Sequence, residues 1–198
     1  MAALLLLGGC ASTHRLGPEA IYEIHGIAPP APGGFEICYN HGCAARARVA
    51  LTPAEWASVL QIFSPPPETP RAERQRIARA IARLETLTGE KTGTSADLGG
   101  TFPGLFTRYQ MDCIDESVNT TVYLTMLEQA GRLRFHRLAG TATRGFFLRG
   151  WPHTAATLLD TLSGEIQVVD SWFEANGGTV HIVGLEQWMD GWRPEGSE

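Results

Sequence analysis

Cys113 lies in Gln110-Met111-Asp112-Cys113-Ile114-Asp115-Glu116, at the expected start of a helix. A thiol there feels the positive end of the helix dipole, which favours the nucleophilic thiolate. Asp112, Asp115 and Glu116 act the other way, since nearby anions raise a thiol pKa. An imidazolium beside the sulfur would offset them. His153 and Asp170 are the residues placed to supply it. A turn at Thr161-Leu162-Ser163-Gly164 lets 154–159 pair with 165–172. With Asp160 opposite Glu165, Ala155 falls opposite Asp170 and His153 opposite Trp172. Period-two alternation then puts His153 and Asp170 on one face, on diagonal positions roughly 7–8 Å apart. A one-residue slip would separate them. In that register the aspartate holds the imidazole tautomer while the histidine serves the cysteine.

Cysteine at a helix start, histidine on a strand and aspartate on the next strand resemble the transglutaminase-like superfamily, a branch of the papain-like cysteine enzymes. The resemblance spans about 110–172. It rests on Asp112-Cys113-Ile114-Asp115, Trp151-Pro152-His153-Thr154 and Val168-Val169-Asp170-Ser171-Trp172. Bacterial transglutaminase-like cysteine peptidases, whose cysteine also follows an aspartate, are similar. The resemblance implies that Cys113 is the nucleophile, His153 the acid/base and Asp170 its orienter. The Cys113 N–H would be one oxyanion donor, with Gln110 or Tyr109 as the second. Thr154 stands where the superfamily usually has an aromatic residue. Some of these peptidases bind calcium near the nucleophile. Asp112 and Asp115 are therefore candidate calcium ligands, although the same residues serve as helix caps. No other cofactor is implied. Trp151 and Trp172 flank the site and could wall a substrate groove.

The elements that must position these residues follow an α+β order, a papain-like arrangement with the nucleophile helix packed on an antiparallel sheet. Strand patterns cover 35–39 and 44–51, joined by Asn40-His41-Gly42. Thr52-Pro53-Ala54-Glu55 is a capping box that opens a helix over 52–63. A second helix begins at Thr69-Pro70, carries Ile77, Ile81, Leu84 and Leu87 on one stripe, and is expected to end at Gly89. The stretch 89–108 reads as loop. The nucleophile helix spans 111–130. Strands follow at 133–142, 154–159, 165–172 and 179–183, and a short helix near 185–188. His136 and His181 fall in strands and need no special role.

The N-terminus reads as an address. Met1 to Gly9 hold four consecutive leucines, too few for a span of about 20 residues. Leu7-Gly8-Gly9-Cys10 resembles the lipobox of bacterial lipoproteins, which implies cleavage before Cys10 and its acylation. Ala11 at the next position goes with outer-membrane sorting in such lipoproteins. The leader is short and lacks a basic residue, so a start further upstream is expected. The expected organisation is a signal peptide over 1–9, a Pro/Gly-rich tether over 10–34 with a possible strand at 20–24, and a catalytic domain over 35–198. In that oxidising compartment Cys38 and Cys43 are expected to form a disulfide across the turn. A metal site using His41 is the runner-up.

The chain has 198 residues, 16 basic and 21 acidic, for a formal charge of −5. That balance argues against nucleic-acid binding, and the 43% hydrophobic content supplies a real core. The expected protein is a monomer, lipid-anchored in the bacterial envelope and facing the periplasm. It would be a cysteine peptidase or amidase acting on a peptide or protein. A crosslinking transglutaminase and a non-catalytic envelope binding or assembly lipoprotein are the alternatives.

Overall fold

A computed structural model describes residues 15–101, 104–145 and 152–196. The elements run β1 (Arg15–Leu16), α1 (Pro18–His25), β2 (Phe35–Tyr39), β3 (Ala45–Val49), α2 (Pro53–Gln61), α3 (Pro70–Thr92), α4 (Cys113–Gln129), β4 (His136–Arg144), β5 (His153–Asp160), β6 (Ile166–Asp170), β7 (His181–Gly184) and α5 (Leu185–Met189). The fold is mixed α+β. One antiparallel sheet has the order β1-β4-β5-β6-β7, and β2 with β3 forms a separate hairpin.

Helix α4 carries few large apolar residues, yet almost all of it is buried. It packs against β5 and β4 of the sheet and against β2 of the hairpin. Val118, Val122, Leu124 and Leu127 join Ile37, Ile77, Ile81, Leu84 and Leu158 in the main core. Its polar residues are buried because they bond to neighbours. Asn119 accepts from the Cys38 N–H at 2.7 Å through Oδ1 and donates to the Cys38 carbonyl at 2.9 Å through Nδ2, which docks the hairpin on the helix. On the other face of the sheet, Ala142, Ala155, Val168 and Trp188 form a second, smaller core.

The register of β5 with β6 is the one read from the sequence: Ala156 pairs with Val169, Thr157 with Val168, Leu158 with Gln167 and Leu159 with Ile166. Two elements differ from expectation. Helix α3 does not stop at Gly89 but continues to Thr92, where Gly93 ends it in the left-handed conformation at φ 94°. Gly89 is there for closeness: a Cβ would meet Asn176 Oδ1 at 2.6 Å and the Ser95 nitrogen at 2.8 Å. The segment expected as a tether is built into the domain from Arg15 onward. β1 pairs with β4, and 20–24 is helix rather than strand, opened by Pro18 at its first turn with Glu19 beside it. Ile21 and Tyr22 are buried, and the Tyr22 hydroxyl meets Thr125 of α4. The expected leader and the lipidation candidate Cys10 lie outside the described residues, as does Trp151.

Candidate active site

The start of α4 is fixed twice. Asp112 is its N-cap, and Oδ1 accepts from the Ile114 and Asp115 N–H groups at 3.0 Å each. Asp115 reaches back to the Asp112 N–H at 3.2 Å, completing a capping box. The same two carboxylates also hold the hairpin turn. Asp115 accepts from His41 and Cys43 N–H, both at 2.7 Å, and Asp112 Oδ2 from Gly42 N–H at 2.9 Å. Asn40, His41, Gly42 and Cys43 all have φ between 59° and 66°, a run of left-handed residues that turns the last three amides onto the carboxylates, while the Asn40 N–H donates to the Gln110 carbonyl.

Asp112 and Asp115, the calcium candidates, serve here as caps: each of their four oxygens accepts a backbone N–H. Burial, with Asp112 adding to it, pushes the Asp115 carboxyl up to about 7 against the pull of its amides. Cys38 and Cys43 are bonded to each other, so the runner-up metal site through His41 has no thiolates to draw on.

Cys113 is the first residue of α4, is partly exposed, and is a free thiol. Its Sγ lies 3.9 Å from the Pro152 carbonyl oxygen, and the Thr154 N–H also points at the sulfur. The residues on both sides of His153 therefore touch the thiol. Burial pushes the thiol up to about 11. The charges of Asp112 and Asp170 add to the rise, while the N–H groups of Thr154 and Cys113 itself oppose it. The resting sulfur is thus a thiol, and a base must take its proton.

His153, the first residue of β5, places Nε2 2.7 Å from Asp170 Oδ2. Its Nδ1 is buried and has no hydrogen-bond partner. With Asp170 ionised, Nε2 carries the proton and Nδ1 presents its lone pair, an assignment made from the bonding pattern. The imidazole is held among aromatic rings, with centroids 4.5 Å from Trp172, 5.5 Å from Phe173 and 5.4 Å from Trp188. Trp172 is therefore a wall of the site as expected, although its indole N–H is engaged by Thr101 at 3.1 Å.

Gln110 is not available as the second oxyanion donor. Its buried side-chain amide is turned into the loop: Nε2 donates to the Ala96 carbonyl at 2.7 Å and Oε1 accepts from the Leu98 N–H at 3.1 Å. Tyr109 bonds through its N–H to Asn40 at 2.8 Å and stacks on Tyr39 at 5.8 Å. Both residues shape the loop before α4. The Cys113 N–H acts on its own sulfur.

Family models, curated proteins and solved structures were compared with the chain, and none matches.

Sequence reasoning missed two layers beneath the site. Asp170 accepts from the Trp188 indole N–H at 2.8 Å and from the Trp172 N–H at 3.3 Å as well as from His153. Glu116, one turn along from Cys113, is buried and accepts from the Ser171 hydroxyl at 2.6 Å, next to Asp170 in the chain. Burial, reinforced by the nearby Glu85, holds the Glu116 carboxyl far above its ordinary range. The bare signal for the second layer was Glu116 at helical spacing from Cys113, which reads as a solvated face until Ser171 and Glu85 are seen beside it.

Proposed function

We propose that the chain is a thiol-dependent acyl-transfer enzyme, a cysteine peptidase or amidase using Cys113, His153 and Asp170. One observation carries this reading. The sulfur lies against the residues flanking His153, while that imidazole is tethered by Nε2 to a buried carboxylate and keeps Nδ1 unpartnered. An orphaned buried nitrogen costs free energy, and a use for it is proton transfer.

His153 Nδ1 takes the thiol proton as Cys113 Sγ attacks an amide carbonyl carbon, forming the S–C bond. The Cys113 N–H donates to the developing oxyanion. Collapse breaks the C–N bond, and the imidazolium returns its proton to the leaving amine. Water, deprotonated by the same nitrogen, then hydrolyses the thioester and regenerates the thiol. An amine in place of water gives crosslinking through the same acyl-enzyme. Asp170 orients the ring and offsets its positive charge.

The order and elements of these residues support a transglutaminase-like, papain-like domain. On that reading the protein is carried by a lipid anchor at Cys10, faces the periplasm with the outer membrane as its home, and acts on a peptide or protein of the envelope. The decisive measurement is labelling by chloroacetamide, a small thiol reagent with an amide group, for wild type, Cys113→Ala and His153→Ala. Labelling confined to Cys113 that falls at least tenfold without His153 supports catalysis. Slow labelling indifferent to His153 sinks it. The high pKa of the isolated thiol favours a second reading, a non-catalytic envelope binding protein on the same fold, and that result would select it.

A further inference from the structure

Trp188 is fully buried in α5, which follows directly on β7. Its indole N–H donates at 2.8 Å to Asp170 Oδ2, the oxygen that also takes His153 Nε2. The indole is itself held. The Arg144 guanidinium lies 4.4 Å over its ring, and Nη1 donates to the Trp188 carbonyl and, at 2.9 Å, to that of Trp192. Strand pairing places Arg144 directly across from His153. A buried arginine, a buried indole, the aspartate and the imidazole therefore form one continuous line behind the reacting nitrogen.

We propose that Trp188, seated by Arg144, is a positioning residue that fixes the Asp170 carboxylate and sets how strongly it holds His153. The inference rests on the Cys113–His153–Asp170 reading. An oxygen that accepts two N–H bonds gives less to each, so the indole moderates the attraction between Asp170 and an imidazolium. It also pins the carboxylate together with the Trp172 N–H on Oδ1, so that the ring is held through Nε2 and Nδ1 stays free of Asp170. The indole is embedded in packed aliphatic surface from Ala142, Ala155 and Val168, and so it is a rigid reference for the carboxylate. The charged groups around this line are Cys113 from α4, Arg144 from β4, His181 paired with Asp170 from β7, and Arg193 after α5, whose charge acts on Arg144.

The test is the pH profile of Cys113 labelling by chloroacetamide in wild type, His153→Ala and Trp188→Phe, which keeps the ring bulk and removes the N–H. Near neutral pH the expected rate for Trp188→Phe is about tenfold below wild type, the loss of one buried bond to a charged group. Its rising limb moves up by about half a pH unit, because Asp170 now holds the imidazolium more firmly. A purely structural tryptophan would leave that limb in place. If wild-type labelling depends on His153 while Trp188→Phe matches wild type in rate and profile, this inference is wrong and the triad stands. If labelling ignores His153, the triad itself fails. Should Trp188→Phe not fold, the folded wild type carries the test. The Trp188 indole proton resonates downfield and moves on His153→Ala, and a signal indifferent to that change overturns the inference.

Discussion

His153 and Asp170 meet at 2.7 Å although neither is the other's partner in the strand ladder. Their contact is the diagonal step across β5 and β6. It exists only in the register that also buries Leu158 and Val169 in the core, so the packing that makes the sheet stable is the packing that builds the dyad. This has a consequence for reactivity. With His153→Ala, no side chain remains beside the sulfur to take the Cys113 proton, and burial, which pushes the thiol up to about 11 in the intact protein, still acts on it. Labelling of that variant should rise continuously with pH to at least pH 10. Wild type should level off near neutrality. A plateau for His153→Ala at the wild-type pH would refute the assignment.

Glu85 gives a stability prediction of opposite sign from ordinary acid denaturation. Burial pushes its carboxyl up to about 8, against the Gly177 N–H and the Ser171 hydroxyl, with Asp97 adding to the rise. The folded value lies above the unfolded one, so the neutral carboxyl's contribution is intact below about pH 4.5 and is lost as pH rises toward 8. The Tm should fall across pH 5–8, at roughly 2–4 °C per kcal/mol for a chain of this size. Glu85→Gln should flatten that slope in a calorimetric or fluorescence melt. An unchanged slope would locate the pH dependence elsewhere.

Glu73 works the other way. Burial pushes its carboxyl up, but the His136 ring at 2.9 Å and the Phe135 and Arg134 N–H groups outweigh that and hold it below the ordinary range. Both side chains are fully buried. The contribution is complete above the unfolded carboxyl value and is lost as pH falls through the folded one. Glu73→Ala strands His136 and three amides at the start of β4, so unfolding should be easier by about 3–5 kcal/mol in denaturant. A loss under about 1 kcal/mol, the level of a surface pair, would show the network to be dispensable.

Reduction of Cys38–Cys43 should cost little. The bond closes a loop of six residues, for which chain entropy alone gives about 2 kcal/mol. The turn keeps its three amide bonds to Asp112 and Asp115 without it. Asp115→Ala removes two of those bonds and one cap bond, leaving buried amides unpaired at about 1–3 kcal/mol. A reductant titration of both proteins, followed by Tm, should show wild type tolerating reduction and Asp115→Ala melting much lower once reduced. Equal losses in the two would mean that the turn is not jointly held.

The His153–Asp170 contact was legible because the Gly-containing turn at 161–164 sets the register behind it, and the helix start at Cys113 follows from the residues around it. Gln110 was misread because its position before the nucleophile says nothing of the loop at 96–98 that claims its amide. Trp188 was invisible for a related reason. Its partner lies across the β6–β7 pairing, and an indole in a short C-terminal helix carries no local mark of what its N–H will meet. Asp112 and Asp115 looked alike as metal ligands or caps until the left-handed turn brought its N–H groups to them.

The early docking of Arg15 and Leu16 beside β4 has a spatial consequence. With Cys10 acylated, only Ala11 to His14 separate the anchor from the folded body. Five Cα steps reach at most about 18 Å. On the proposed anchoring, a connection of that length would hold the protein in a thin layer against the bilayer. Its substrates would then be sorted by their height above the lipid headgroups as well as by their sequence.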